Sequence, residues 1–381
     1  MLIGIELNAL IPITKREKLK DKLIKIYFYF GAFNLVLAYI SLAMLLYQFF
    51  TDLTKTGTVW TNFILVTTTF QKTIHMKYNL QRIEQLIRRI QKVFESSHVI
   101  HYHRYQKNLK INIIVQVSYL FAVYGTDLTF FSIPIIQNIV ALLYGADHWE
   151  RIIQHQLYFP YSLEPWFIYI LTYTWIQFAA FMSNGYIVAN EILFDTLLVM
   201  ISMEFDNLAD EFEDFDFEHP DLEEFKKLKN RHSELLEIAD EMNSIYNFPI
   251  MVSFFGCTAI LCFSLLQVFV QGQMIFSSVS EIPNLIKFSS FLSAGLLQIF
   301  LLSFFCEKLR TSSENIAKKI ANSNWYMCKD IGMKKNYQMV LLKAQQPVEL
   351  TALNFFGINI EIFTHVISTA YSYFGILKSF R

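Results

Sequence analysis

Seven long apolar segments, separated by charged stretches, dominate the pattern of hydrophobic and polar positions along the chain. A bilayer core about 30 Å thick requires roughly 20 residues of helix, and each segment reaches that length. The second segment is the weakest because polar residues interrupt it, and the third and fourth are long enough to tilt or to project from the bilayer. The segments cover approximately residues 28–50, 58–77, 112–143, 165–203, 248–271, 284–306 and 355–377. The pattern therefore predicts an all-α membrane protein with seven transmembrane helices, in which residues 1–381 form one domain.

Lysine and arginine are distributed unevenly among the stretches that flank these segments. The stretch before the first segment and the connections after the second, fourth and sixth hold 26 of the 32 basic residues. Because basic residues are enriched on the cytosolic side of a membrane, the N-terminus is predicted to be cytosolic and the C-terminus extracellular. This orientation is opposite to that of G-protein-coupled receptors, so we expect no G-protein partner.

Two of the predicted cytosolic regions carry apolar residues at helical spacing, with charged residues between them. In residues 204–247 the series includes Leu222, Phe225 and Leu228, and in residues 307–350 it includes Ile316 and Ile320. Such spacing is typical of amphipathic helices that bury one face. We therefore expect both regions to extend the membrane helices into a cytosolic bundle.

The composition agrees with a membrane protein and narrows the chemistry. Hydrophobic residues make up 54% of the chain and charged residues 17%, with a mean hydropathy of +0.33, whereas soluble domains are roughly 25% charged. The net charge of −1 gives no support to nucleic-acid binding. Motifs of nucleotide sites, serine hydrolases and zinc proteases are absent, and the four cysteines form no CxxC pair. We therefore predict no enzyme, no cofactor and no metal; a zinc site at His98, His101 and His103 is the weaker alternative to solvated loop histidines.

One acidic residue, Asp127, lies in the middle of the third segment, where ionisable groups are costly and therefore informative. It either is a hydrogen-bonded structural residue facing the bundle interior or lines a cavity, where it accepts a donor from a ligand or from water. No lysine or arginine is expected in a neighbouring span at that depth. Glu191 and Asp195 lie near the inner boundary of the fourth segment, where hydration is expected to accommodate them.

Aromatic residues are concentrated in the predicted outer halves of the spans. Interfacial belts explain most of them, but a subset could enclose a small-molecule site, since such sites are concave, mostly apolar and contain few polar groups. The ligand of such a site is expected to be small, neutral and largely apolar or aromatic. The candidate ligand-binding residues are Phe63, Thr67, Phe70, Tyr124, Asp127, Phe131, Tyr169, Tyr173, Phe288 and Phe291.

The last segment carries a polar stripe, because residues spaced by three or four positions share one face of a helix. The stripe consists of Glu361, His365, Ser368, Ser372, Ile376 and Ser379. A polar stripe within hydrocarbon must face protein or water. It therefore either forms hydrogen bonds to other helices of the same chain or lines a water-filled pore shared by several subunits. In a pore, a ring of Ile376 side chains near the outer mouth would form a constriction that closes by dewetting.

Short motifs are concentrated in the final fifth of the chain: a basic-x-Gln-x-Pro element, an aliphatic-x-x-Phe element and a terminal Tyr-Ser-Tyr-Phe. Their residues, with one preceding tryptophan, are Trp325, Lys343, Gln345, Pro347, Ile360, Phe363, Tyr371, Ser372, Tyr373 and Phe374. This set resembles the C-terminal signature of insect odorant receptors, and length and topology agree over the whole chain. Leu353 stands where that family usually has Gly, and Ser368 replaces a common Lys.

The resemblance implies a tetrameric, ligand-gated cation channel whose pore is formed by the last helix, residues 355–377, with a hydrophobic gate at Ile376. It also implies a cytosolic anchor region in residues 204–247 and 307–350, and an odorant pocket in the outer half of each subunit. The family's co-receptor has a long insertion between the fourth and fifth spans that this chain lacks. The chain therefore resembles a tuning subunit, which assembles with the co-receptor as a heterotetramer.

We therefore expect an odorant-gated, non-selective cation channel subunit in the plasma membrane of sensory-neuron dendrites. Its partners would be the co-receptor, a small volatile odorant, membrane lipids and permeating cations. The alternatives are a gustatory receptor of the same superfamily and an unrelated seven-helix membrane hydrolase or transporter.

Overall fold

The structure is a computed structural model that describes residues 18–49, 53–97, 102–145, 149–153, 155, 157–275 and 282–379. The described residues are mostly helical. The helices are α1 Lys18–Phe49, α2 Leu53–Tyr78, α3 Leu80–Ser97, α4 Tyr102–Leu143, α5 Trp166–Glu213, α6 Leu222–Ile275, α7 Ile282–Asn322, α8 Ile331–Ala344 and α9 Ile360–Ser379. A short 3-10 turn, Trp325–Met327, precedes α8, and two strands, β1 Thr351–Ala352 and β2 Phe356–Gly357, precede α9.

Five of these helices are long and apolar enough to cross a membrane. The qualifying stretches are Phe28–Gln48, Tyr105–Leu143, Trp166–Glu213, Leu222–Gln273 and Ile282–Asn322. They contain or match the first, third, fourth, fifth and sixth segments predicted from the sequence, and the remaining two predicted segments correspond to the less apolar helices α2 and α9. The prediction of an all-α membrane protein is therefore confirmed, while the orientation of its termini stays a prediction.

Two features of the fold differ from the sequence prediction. Helix α3 was not predicted, although its buried positions Ile83, Leu86, Ile90 and Val93 follow helical spacing within a basic stretch. The last helix begins at Ile360 rather than at residue 355, because the residues before it form a hairpin. Short strands of two residues leave almost no periodic signal in a sequence, so the boundary was misplaced.

Helix α5 forms the centre of the bundle. Most of its residues from Gly185 to Phe212 are buried, and it packs against α4, α6 and α7. Helix α2 packs against α1 and α6, while α9 lies on the outside of the bundle against α6 and α7. Large apolar side chains such as Phe121, Phe167 and Ile114 remain exposed, as expected where a helix faces lipid rather than protein.

The ends of α5 and α7, the start of α6 and helix α8 form a second, tightly packed region around Tyr337. The Tyr337 ring contacts Phe217 at a centroid distance of 4.7 Å and stacks on Trp325 at 6.0 Å. Its hydroxyl lies 2.7 Å from the Ser323 hydroxyl, and Arg231 of α6 joins Glu204 of α5 at 2.7 Å. Residues 204–247 and 307–350 therefore contact each other within the large buried cluster of the described residues, while their cytosolic location and anchoring role stay predictions.

The hairpin β1–β2 connects this region to α9. Its strands pair antiparallel, and the Phe355 amide donates to the Ala352 carbonyl at 3.0 Å across the turn. The Thr351 amide donates to the Asn243 side chain at 2.8 Å, which ties the hairpin to α6. The Asn359 side chain then accepts a hydrogen bond from the Ile362 amide at 2.9 Å at the start of α9. The hairpin therefore fixes where the last helix leaves the bundle.

Candidate ligand cavity and final helix

A cavity of about 920 Å³ lies among six helices, α1, α2, α4, α5, α6 and α7. Its wall is mostly apolar and includes Leu37, Val66, Val123, Ile187 and Ile260, one from each of five helices. A volume of this size matches those of small-molecule sites, which range from roughly 300 to 1,000 Å³. The cavity can therefore enclose a small, largely apolar molecule.

The segment between α4 and α5 covers the end of the cavity that the sequence predicts to be extracellular. Its residues 155 and 157–161 line the cavity. The Ser41 hydroxyl of α1 donates to the Tyr158 carbonyl at 2.9 Å, and the Tyr161 hydroxyl lies 3.0 Å from that of Thr172 in α5. The His155 ring stacks on Phe130 of α4 at a centroid distance of 4.9 Å. These contacts hold the covering segment against three helices.

Asp127 is one of the residues in the cavity wall. The Asn184 side chain of α5 donates to Oδ1 of Asp127 at 2.6 Å. The second oxygen, Oδ2, is buried and has no hydrogen-bond partner among the described residues. One carboxylate oxygen of Asp127 is therefore used within the bundle, as one sequence interpretation predicts, and recognition of a ligand by the other oxygen stays a prediction.

A buried charge network lies next to the cavity at Gln298. The Gln298 amide donates to Glu191 at 3.0 Å, and Lys72 of α2 pairs with the same Glu191 oxygen at 2.6 Å. Lys72, Glu191 and Asp195 are all buried. The expectation that hydration accommodates Glu191 and Asp195 was therefore wrong, because α2 and α7 cover this part of α5. Removing either partner of such a buried ion pair strongly destabilises the folded protein, because the other charge is left buried without a partner.

The predicted ligand-binding residues occupy different places in the structure. Asp127 and Phe291 line the cavity, whereas the other eight candidates do not. Phe63 and Phe70 pack near Tyr39, and Tyr124 packs on Phe181. Phe131 packs with Tyr173, whose hydroxyl donates to the Phe131 carbonyl at 2.5 Å. The Tyr169 hydroxyl donates to the Ile152 carbonyl at 3.0 Å. The Phe288 ring packs against Lys287. The Thr67 hydroxyl donates to the Phe63 carbonyl at 2.7 Å within its own helix.

Several residues on the cavity wall were missed by the sequence analysis. They include Tyr119, Val123, Asn184, Cys257 and Gln298. Val123 and Tyr119 lie one and two helical turns before Asp127, so the helical spacing from that residue could have identified them. No comparable signal marks Asn184, Cys257 or Gln298, because their rotation toward the cavity depends on neighbouring helices.

The polar stripe of α9 lies on the outer surface of the chain. Val366 and Ala370 are buried on the opposite side, while the Ile376 side chain is 51% exposed. The hydroxyls of Ser368, Ser372 and Ser379 donate to carbonyls of their own helix at 2.7 to 3.0 Å. His365 and Glu361 face each other at 3.8 Å and are both exposed. Within the described residues, these serines form no hydrogen bond to another helix, so the stripe is available to water or to another chain.

Comparison with known proteins decides the family. The family model described as 7tm Odorant receptor matches residues 52–371. The chain belongs to the insect odorant receptor family. It is 23% identical over 318 residues to odorant receptor 92a of Drosophila melanogaster, covering 81% of this chain and 75% of that protein. It is 21% identical to Drosophila melanogaster odorant receptor 85b, covering 97% of this chain and 94% of the relative.

A solved structure has the same fold. The insect olfactory receptor OR5 of Machilis hrabei, in complex with eugenol, superposes with a TM-score of 0.80 at 16% sequence identity. The match covers 100% of this chain and 97% of that receptor. The overall arrangement of this chain is therefore a known fold.

Membership of the family excludes the enzyme alternative. Insect odorant receptors are ligand-gated cation channels in the membrane, and neither the relatives nor the structural match is an enzyme. Among the described residues, no cluster of three or more His, Cys, Asp or Glu could hold a metal ion. His98 and His101, from the alternative zinc set, lie outside the described residues, and the placement of the His103 side chain is likewise not described.

Proposed function

We propose that the chain is a tuning subunit of an odorant-gated, non-selective cation channel. It would assemble with the olfactory co-receptor as a heterotetramer in the plasma membrane of sensory-neuron dendrites. A small volatile molecule would bind in the cavity, and α9 would line the pore, with Ile376 as the gate. Residues 204–247 and 307–350 would anchor the subunits to one another on the cytosolic side.

The observation that carries this proposal is that the same two helices border the cavity and support α9. Cys257 of α6 and Phe291 of α7 line the cavity. On other faces of these helices, Phe269 of α6 packs on Phe374 of α9 at a centroid distance of 5.7 Å. Phe300 of α7 packs on Phe363 of α9 at 5.5 Å. A ligand that moves α6 or α7 would therefore shift α9 directly, because packed helices move as rigid bodies.

The polar stripe explains why α9, rather than another helix, would face water. One exposed face carries Glu361, His365, Ser368 and Ser372, and ends near Ile376. Such a face is costly in hydrocarbon but suits a wet axis shared by several subunits. Ile376 is the large aliphatic residue of this face, so a ring of its side chains would close the pore when the helices approach one another.

Electrophysiology of cells that express this chain with the co-receptor tests the proposal. We expect inward cation current when a panel of volatile alcohols, esters, ketones and aromatic compounds is applied. Ile376→Ala removes the constriction, so it should raise the current in the absence of ligand. The matched control is Ile367→Ala, which changes the same residue type on the opposite side of α9 and should leave this current unchanged.

Two outcomes would contradict the proposal in different ways. Absence of any evoked current, with both subunits present at the cell surface, would exclude the receptor function. Evoked current together with an unchanged ligand-free current in Ile376→Ala would exclude the gate at this residue but not the receptor function.

A further inference from the structure

The Asp127 carboxylate is the unsatisfied acceptor on the cavity wall. Its Oδ1 already accepts from Asn184 at 2.6 Å, while the buried Oδ2 has no hydrogen-bond partner among the described residues. Leaving a buried acceptor without a donor destabilises the state that contains it. A molecule that brings a hydrogen-bond donor to Oδ2 removes this penalty. The unpaired oxygen therefore favours ligands that carry such a donor.

Water is a poor substitute for such a ligand at this position. A buried water molecule usually needs two to four polar partners. The hydroxyls of Thr126 and Ser183, which also belong to cavity-lining residues, already donate to carbonyls of their own helices at 2.8 Å, so they can accept from a water molecule but not donate to it. Around them the wall is apolar, with Val123, Ile187 and neighbouring side chains. Water at Oδ2 would therefore find acceptors but few donors among these groups.

No lysine or arginine lines the cavity among the residues that the structure describes. The other polar atom there that is buried without a partner is Nε2 of His155, which stacks on Phe130. Phe130 lies one helical turn after Asp127 on α4, so His155 marks the covered end of the cavity rather than the Asp127 wall. The two groups therefore define separate positions, which variants can distinguish.

We propose that Oδ2 of Asp127 accepts a hydrogen bond from a hydroxyl or amino group of the ligand. The cavity then selects small volatile alcohols, phenols or amines over ethers and hydrocarbons of the same shape. Asn184 positions the carboxylate, and the apolar walls contain the hydrocarbon part of the molecule. This inference rests on the proposed function and adds the chemical class of ligand to it.

Isomeric probe pairs test the inference in the unmodified protein. Octanol and heptyl methyl ether have the same atoms, as do phenylethanol and benzyl methyl ether, and phenethylamine provides the amino group. In cells expressing the chain with the co-receptor, at least one alcohol or the amine should activate at a concentration about tenfold or more below its ether counterpart. Equal potency within the pairs, or activation by ethers alone, would overturn the inference.

Variants then assign the preference to one residue. In Asp127→Asn, the amide oxygen can still accept from Asn184 and the amide NH₂ faces the cavity as a donor. Because the NH₂ can donate to the oxygen of either molecule but cannot accept from the hydroxyl, the ratio of alcohol to ether potency should fall about tenfold or more. Ser183→Ala is the matched control on the same wall, because its hydroxyl is already bonded to the Ala179 carbonyl. It should leave the ratio of alcohol to ether potency unchanged.

His155→Leu separates the two unsatisfied positions. We expect the preference for the alcohol to persist in this variant; loss here and retention in Asp127→Asn would assign recognition to the histidine and overturn the inference. A larger loss for phenethylamine than for phenylethanol in Asp127→Asn would identify a cationic ligand, and the reverse a neutral hydroxyl. If ethers and esters evoke current but no alcohol or amine does, the inference fails while the proposed receptor function stands.

Discussion

At the scale of single residues, Leu353 has a left-handed backbone conformation that glycine adopts more easily than leucine. Its φ is 48° and that of Asn354 is 61°, so both central residues of the hairpin turn are left-handed, as type I′ turns require. Glycine adopts this conformation freely and asparagine tolerates it, whereas a leucine side chain clashes with the backbone. The glycine that the family resemblance implies at this position would suit the turn, and the chain keeps the turn despite the leucine.

Leu353→Gly should stabilise the protein by about 1 kcal/mol, because it removes the strain of a left-handed leucine. The measurement is the thermal unfolding midpoint of the detergent-purified chain. Size-exclusion chromatography with fluorescence detection monitors the unfolding. Asn354→Gly is the adjacent control, and it should change the midpoint less because asparagine already tolerates this region. A lower midpoint for Leu353→Gly would show that contacts of the leucine side chain outweigh the backbone strain.

At the scale of secondary-structure elements, close approach between α1 and α5 depends on a missing side chain. The Tyr186 ring of α5 fills the space that a Cβ at Gly31 of α1 would occupy. Tyr186 is fully buried and its hydroxyl donates to the Phe28 carbonyl at 3.2 Å, so the ring has little freedom to move away. Small residues allow helix backbones to approach in this way within membranes.

Gly31→Ala should destabilise the protein by about 1–3 kcal/mol, since overpacking forces the helices apart. Gly125→Ala in α4 is the matched control, because a Cβ there meets no atom within 4 Å. That change should be neutral or stabilising by up to about 1 kcal/mol, as alanine favours helix over glycine. The same unfolding measurement compares both variants. Equal destabilisation would show that glycine at 31 is not required by the α1–α5 contact.

At the scale of the whole molecule, the proposed pore predicts that neighbouring residues of α9 differ in their access to water. Ser372 lies on the exposed stripe, whereas Ala370, two residues earlier, is 1% exposed and faces the bundle. If the stripe lines a pore with its gate at Ile376, Ser372 lies on the cytosolic side of that gate. A reagent added outside the cell should then reach residue 372 mainly when the channel is open.

Ser372→Cys should therefore be modified by an extracellular, positively charged methanethiosulfonate reagent faster during ligand application than at rest. The measurement is the rate at which the evoked current falls in cells that also express the co-receptor. Ala370→Cys is the control that should resist modification because its side chain is buried against α6 and α7. Equal rates for the two variants, with and without ligand, would argue against a pore along this face.

Much of the fold was predictable because its signals are local in the chain. Apolar runs located seven helical segments, and helical spacing of apolar residues in 204–247 and 307–350 indicated the second packed region. Helix α3 and the hairpin were not predicted, since one lies in a strongly charged stretch and the other has strands of two residues. The polar stripe of α9 was also predictable, because all of its residues lie in one helix and their spacing can be read directly from the sequence.

The sequence by itself determined the class of the protein, the helical segments and the family motifs of its final fifth. Only the tertiary structure decided which side chains meet in the cavity and which charges pair. Lys72 and Glu191 lie 119 positions apart, and Asp127 and Asn184 lie 57 apart. Eight of the ten predicted pocket residues instead lie off the cavity wall. The physical reason is that hydrophobicity marks a membrane helix but not its rotation about its own axis, which is set by packing against distant helices.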